Sequence, residues 1–192
     1  MTAVARVLAR PVYEIYRTAS AAGFHLAGWR FEGKIPDADK FLVVAAPHTS
    51  NWDLPIMLGI AAHFRRRLHW VGKASLFKPP FGGVMRALGG VPVERGAGAN
   101  FVSDIVDEFR ARERFVIGIL PEGTRQKVRE WRSGFYHIAQ GAGVPIVLGF
   151  VDYARKAAGV GGVIEPSGDY EADLARIKAF YAGVTGKHPE RA

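Results

Sequence analysis

The residues best suited to chemistry lie in three short polar clusters set into otherwise apolar sequence. His48-Thr49-Ser50-Asn51-Trp52-Asp53 places an imidazole five positions before a carboxylate, and Pro121-Glu122-Gly123-Thr124-Arg125 sets an acid and a guanidinium around a glycine. Gly89-Gly90-Val91-Pro92-Val93-Glu94-Arg95 ends on a second arginine. A neutral histidine can take a proton from a hydroxyl, and a carboxylate on its other ring nitrogen fixes the tautomer and stabilises the imidazolium that forms. Such a base contributes about 10²–10⁴-fold to a rate. The activated hydroxyl could be that of Ser50 or one brought by a substrate. Thr49 and Ser50 also suit a turn or cap after a strand, where short hydroxyl side chains satisfy backbone N–H groups. Trp52 reads as a packing residue. A histidine and an aspartate at this spacing are common by chance, so the pair takes its weight from the elements around it.

Those elements alternate. The apolar run Phe41 to Ala46 reads as a buried strand stopped by Pro47, which leaves His48 just beyond its end. Residues 53–64 suit a helix with Pro55 in its first turn, where proline is tolerated. Leu68 to Val71, Phe115 to Leu120 and Val144 to Val151 read as further strands, and Val91 to Val93 as a weak one. Phe101, Ile105 and Phe109 mark a helix opened by Asn100; Tyr170, Leu174, Ile177 and Tyr181 mark another capped by Asp169. The alternation predicts an α/β fold, a single-domain sandwich over residues 31–192 with a largely parallel central sheet flanked by helices. Ligands of such sheets bind at the carboxyl ends of the strands, where the first two clusters fall. Residues 1–30 add an amphipathic N-terminal helix, with Val4, Leu8, Val12, Ile15 and Ala19 on one face and Arg6, Arg10 and Arg17 roughly opposite. Pro11 can bend it. It is either a membrane-surface anchor or a cover for the sheet, and Leu76 to Phe81 is a second apolar-basic stretch of the same kind.

Composition narrows the function classes. A chain of 192 residues with 48% hydrophobic and 23% charged residues can build one sizeable core. With no cysteine, disulfides, thiolate metal sites and cysteine nucleophiles are excluded. Neither a metal site nor a cofactor is expected. The net charge of +8 favours anionic partners, whether nucleic acid, phosphorylated metabolites or an anionic membrane surface. Arg65-Arg66-Arg67 near Trp70 invites the first, but no helix-turn-helix, zinc, RNA-recognition or KH signature accompanies it, and no nucleic-acid partner is expected. No run approaches the roughly 18 to 20 apolar residues that span a bilayer, so membrane contact would be peripheral or monotopic.

In their order and separations the three clusters, with Val144-Pro145-Ile146-Val147-Leu148 after them, resemble the signature blocks of the glycerolphosphate and lysophosphatidic acid acyltransferase family. The resemblance covers roughly Phe41 to Val151. Leu148 stands where the family usually closes its block with proline, and Pro92 replaces a frequent aromatic. The resemblance implies an O-acyltransferase that moves a fatty acyl group from acyl-CoA or acyl-carrier protein to the hydroxyl of a lysophospholipid. The leading acceptor is 1-acylglycerol-3-phosphate, giving phosphatidic acid. An aminolipid, a glycolipid or another lysophospholipid is the alternative acceptor, and a non-catalytic lipid-binding paralogue the alternative protein. His48 would be the base and Asp53 its orienting partner, with the substrate hydroxyl in the serine's place, so that no acyl-enzyme is required. Arg95 and Arg125 would hold a phosphate bidentately. Glu122 would bond the glycerol hydroxyl or support those arginines, Gly123 would let the backbone approach the ligand, and Thr124 would add a polar contact. Lys127, Arg129 and Arg132 would extend the positive field. The implied location is cytoplasmic, on the inner face of the plasma membrane.

Overall fold

Each apolar run alternates its side chains between two buried faces, which is the pattern of strands covered on both sides. The computed structural model describes residues 14–15, 18–20, 22–94 and 98–192. The strands are β1 (Arg30–Glu32), β2 (Lys40–Ala45), β3 (Leu68–Lys73), β4 (Gly90–Val93), β5 (Phe115–Ile119), β6 (Ile146–Asp152) and β7 (Ala157–Ile164). They form one sheet in the order β1-β7-β6-β2-β5-β3-β4. The five strands from β6 to β4 are mutually parallel; β7 is antiparallel to β6, and β1 follows β7.

The helices are α1 (residues 22–26), α2 (Asp53–His63), α3 (Gly82–Ala87), α4 (Gly98–Ala111), α5 (Gly134–Ala142) and α6 (Tyr170–Tyr181). On one face of the sheet, Leu42, Val44, Ile117, Ile146 and Leu148 pack against Ile105 and Phe109 of α4, Phe135 and Ile138 of α5, and Leu174, Ile177 and Tyr181 of α6. On the other face, Phe41, Ala45, Val116 and Val147 pack against Met57 and Ala61 of α2. Phe24 of α1 lies where a Cβ at Gly59 would stand, so the glycine lets α1 close on α2. Of the helix expected over residues 1–30, residues 14–15 and 18–20 are also helical, with Ile15 70% exposed, and the chain leaves the helix before β1; Arg6, Arg10 and Arg17 lie outside the described residues.

Several boundaries differ from expectation, and β3 runs two residues beyond Val71 to Lys73. α4 begins at Gly98, so Asn100 lies inside the helix and does not open it; its carbonyl accepts the Ser103 hydroxyl at 2.9 Å. The β6 strand begins at Ile146, after Pro145. Asp169 caps α6 as expected, its Oδ1 accepting the Ala172 N–H at 3.0 Å. Leu148 is buried in the middle of β6, and Pro92 sits on β4, an edge strand where a missing N–H is tolerated.

Candidate active site

β2 and β5 are adjacent and parallel, with Val44 opposite Ile119, so the polar loops that follow them emerge side by side. The His48 ring packs down on Asp53, the first residue of α2, with Nδ1 to Oδ2 at 2.9 Å. The same Oδ2 accepts the backbone N–H of Thr49 at 3.0 Å and of Ser50 at 2.9 Å. Asp53 thus organises its own loop, and α2 needs no separate side-chain cap. Its other oxygen, Oδ1, accepts the Tyr153 hydroxyl at 2.7 Å. On the far side, Glu122 Oε2 accepts the His48 backbone N–H at 2.7 Å. His48 and Asp53, five residues apart, are thus joined by Glu122 from the distant β5 loop.

Burial pushes the Asp53 carboxyl up, but the hydrogen bonds from His48, Tyr153 and Ser50, with the His48 charge, outweigh it and hold it below the ordinary carboxylate value. An ionised Asp53 facing Nδ1 requires that nitrogen to carry the proton, which leaves the lone pair on Nε2. Glu122 moves the opposite way. Burial raises its carboxyl, and the nearby Asp53 charge adds to this, against the hydrogen bond from His48 N–H and the His48 charge. Tyr153 is raised by burial, by its bond to Asp53 and by that charge, and so stays a protonated donor.

The remaining expected residues fall as follows. Arg125 reaches back to the β2 loop, its Nη1 donating to Asn51 Oδ1. Gly123 takes a left-handed φ of +64°, and the Arg132 guanidinium lies so close that a Cβ there would stand 2.8 Å from Nε. Its glycine is therefore needed for the turn itself. Thr124 is exposed. Glu122 braces the His48 backbone and does not hold an arginine among the described residues. Arg95 lies outside the described residues. Ser50 is a turn residue, its Oγ accepting the Trp52 N–H at 3.2 Å, while His48 Nδ1 is committed to Asp53. Trp52 corrects the sequence reading. It is 61% exposed and does not pack in the core; the Lys187 ammonium sits 5.2 Å from its ring centroid. Tyr153 and the segment 185–188, where His188 N–H donates to Thr49 Oγ1 at 3.2 Å, carried no sequence signal for this site.

Below the site an almost wholly apolar cavity runs between the sheet and α2, lined by Phe41, Ala45, Met57, Ala61, Val116 and Val147 among others. A small pocket at His48 and Asp53 shares Ala45 and Met57 with it. A base beside an apolar cavity can deprotonate a hydroxyl next to hydrocarbon. Among the described residues, no group of three His, Asp or Glu side chains is arranged to hold a metal ion, and no helix is long and apolar enough to cross a membrane.

A family model described as Acyltransferase matches residues 30–147. Among solved structures, the crystal structure of the 1-acyl-sn-glycerophosphate (LPA) acyltransferase PlsC from Thermotoga maritima is similar with a TM-score of 0.64 at 21% identity, covering 95% of this chain and 82% of that one. At this identity the likeness concerns the fold. No curated protein matches.

Proposed function

This chain belongs to the acyltransferase family, and we propose that it transfers a fatty acyl group from an acyl thioester to the free hydroxyl of a lysophospholipid, with 1-acylglycerol-3-phosphate as acceptor and phosphatidic acid as product. The observation that carries the reading is the 2.9 Å contact of His48 Nδ1 with Asp53, which leaves Nε2 to act as base in a pocket that shares Ala45 and Met57 with the apolar cavity. Nε2 takes the hydroxyl proton as the oxygen attacks the thioester carbonyl. The tetrahedral intermediate collapses, the carbon–sulfur bond breaks, and the imidazolium returns its proton to the departing thiolate of coenzyme A or acyl-carrier protein. The acyl chain lies along the cavity under α2. The Thr49 and Ser50 N–H groups are committed to Asp53 and do not stabilise the oxyanion. Arg125, with Arg95 after β4, receives the acceptor phosphate; the PlsC neighbour, named for a 1-acyl-sn-glycerophosphate substrate, supports this choice of acceptor.

The test is thiol release and product mass for both donor types against lysophosphatidic acid, other lysophospholipids and a neutral monoacylglycerol. We expect phosphatidic acid from the wild type and a kcat at least about 10²-fold lower in His48→Ala. Arg125→Ala should raise KM for the phosphorylated acceptor more than it lowers kcat, and spare the monoacylglycerol. A His48→Ala enzyme retaining more than about a tenth of wild-type kcat would remove the base from the reading.

A further inference from the structure

The carboxyl edge of the sheet carries more than the His48 loop. β3 runs parallel to β5, so at Lys73 it ends on the same edge as His48 and Glu122. There the chain makes the 3-10 turn Ala74–Phe77 and enters α3. Phe77 turns inward, its ring 5.8 Å from that of Trp70. Its neighbours turn outward: Leu76 is 49%, Phe81 69% and Val84 49% exposed. Packing fixes this outward turn. Gly82 N–H donates to Lys78 O at 3.0 Å, and its backbone lies so tightly on Phe77 that a Cβ would stand 2.0 Å from the Phe77 carbonyl oxygen. Phe81 and Val84, three apart, share a face.

The charges on this segment have one sign. Lys73, Lys78 and Arg86 are exposed, and residues 73–93 contain no aspartate or glutamate. The start of β1 pairs with the start of β7, beside the end of β6, and so lies on this same edge; Leu26, just before it, is 88% exposed. Trp52, in the His48 loop, is also exposed, with Lys187 over its ring.

We propose that Leu76, Phe81 and Val84 insert into an anionic phospholipid bilayer while Lys73, Lys78 and Arg86 meet its headgroups, so that the carboxyl edge of the sheet and His48 face the lipid. Three protruding hydrocarbon side chains ringed by cations suit a surface with an apolar interior beneath anionic heads. A second copy of the chain would set like charges against each other in a two-fold contact. An acidic soluble protein would answer the cations and leave little for Phe81 to do. The orientation toward substrate rests on the acyl-transfer reading; the binding does not.

The absence of cysteine from the chain makes a site-specific probe clean. An environment-sensitive dye is placed on Phe81→Cys, and on Glu113→Cys at the opposite edge, in the full chain with vesicles of phosphatidylcholine alone or mixed with phosphatidylglycerol. The dye at position 81 should blue-shift and be quenched by spin-labelled lipid only on the anionic vesicles, and the dye at 113 should not respond. In flotation, the folded Leu76→Ser/Phe81→Ser variant should partition at least about tenfold more weakly. A water-like dye at 81 on floating protein, failure of the chain to float, or a blue shift given by an acidic carrier protein or by raised protein concentration without vesicles would each overturn the proposal. Acyl transfer between short, water-soluble substrates by the serine variant tests the catalytic reading separately.

Discussion

Asp53 has four donors on two oxygens, and this is how a short loop keeps an imidazole in one orientation. The two backbone bonds and His48 crowd Oδ2, so among the described residues Tyr153 alone fixes the far oxygen and with it the rotation of the carboxylate. Tyr153→Phe keeps the ring and its edge contact with Trp29, 5.3 Å away, and removes only that donor. Without that donor the carboxylate can turn away from Nδ1, and the imidazole loses its fixed tautomer. We expect kcat/KM to fall by about tenfold, the worth of one hydrogen bond to a charged group, with kcat carrying the loss and thermal stability little changed. A drop in thermal stability with kcat unchanged would make Tyr153 structural only. His48 and Glu122 were legible as candidates because each stands just after an apolar strand, and Asp53 because it opens the helix that follows His48. Tyr153 was not, because it stands 100 residues beyond Asp53 and only the pairing of β6 beside β2 brings it back.

At the scale of elements, strands with dense apolar runs and helices with clear stripes were readable, and those whose reason is a neighbour were not. β7 (AAGVGGVI) has neither alternation nor bulk; Gly161 lies under the Phe180 ring, where a Cβ would stand 1.9 Å from a ring carbon, and a Cβ at Gly159 would stand 2.0 Å from the Glu32 carbonyl oxygen. α5, with glycine in both its first and last turns, shows little helical propensity, yet Phe135, Tyr136 and Ile138 bury it against the sheet and Gly143 ends it in a left-handed cap. α2 was placed correctly, but a cavity beneath it is a property of packing that no sequence pattern displays. If that cavity takes the acyl chain, Ala61→Leu shortens it from the helix side. Competition among acyl thioesters of graded length should then shift toward shorter chains, with turnover of the shortest retained; an unchanged preference would place the chain elsewhere.

Across the whole molecule, 26 Lys and Arg face 18 Asp and Glu, and the acids that matter most for the fold are the buried ones. Asp173, on α6, is 1% exposed and accepts from Tyr136 Oη at 2.9 Å, Ser167 N at 2.7 Å, Ser167 Oγ at 2.9 Å and Arg176 Nη1 at 3.2 Å, tying α6 to α5 and to the loop between β7 and α6. Burial pushes its carboxyl up, but the bonds from Ser167, Tyr136 and Arg176 prevail and hold it below the ordinary aspartate value of 3.8. The unfolded chain therefore binds a proton at higher pH than the native one. The stability that Asp173 contributes is fully present above the ordinary value and is lost as pH falls through the lower, native one. Glu122, raised by burial, has the opposite sign: the native chain binds its proton at higher pH, so it opposes folding once the pH exceeds that raised value. Asp53 shares the Asp173 direction, so the Asp173 share must be isolated by substitution. Asp173→Asn keeps an oxygen for the donors but carries no charge to lose. Its Tm should lie below wild type near neutral pH, by about 1–3 kcal/mol of stability, and the gap should narrow as both are titrated below the ordinary aspartate value. A gap that stays constant down the acid series would mean that Asp173 acts through packing alone and that its charge does not hold α5 and α6 together.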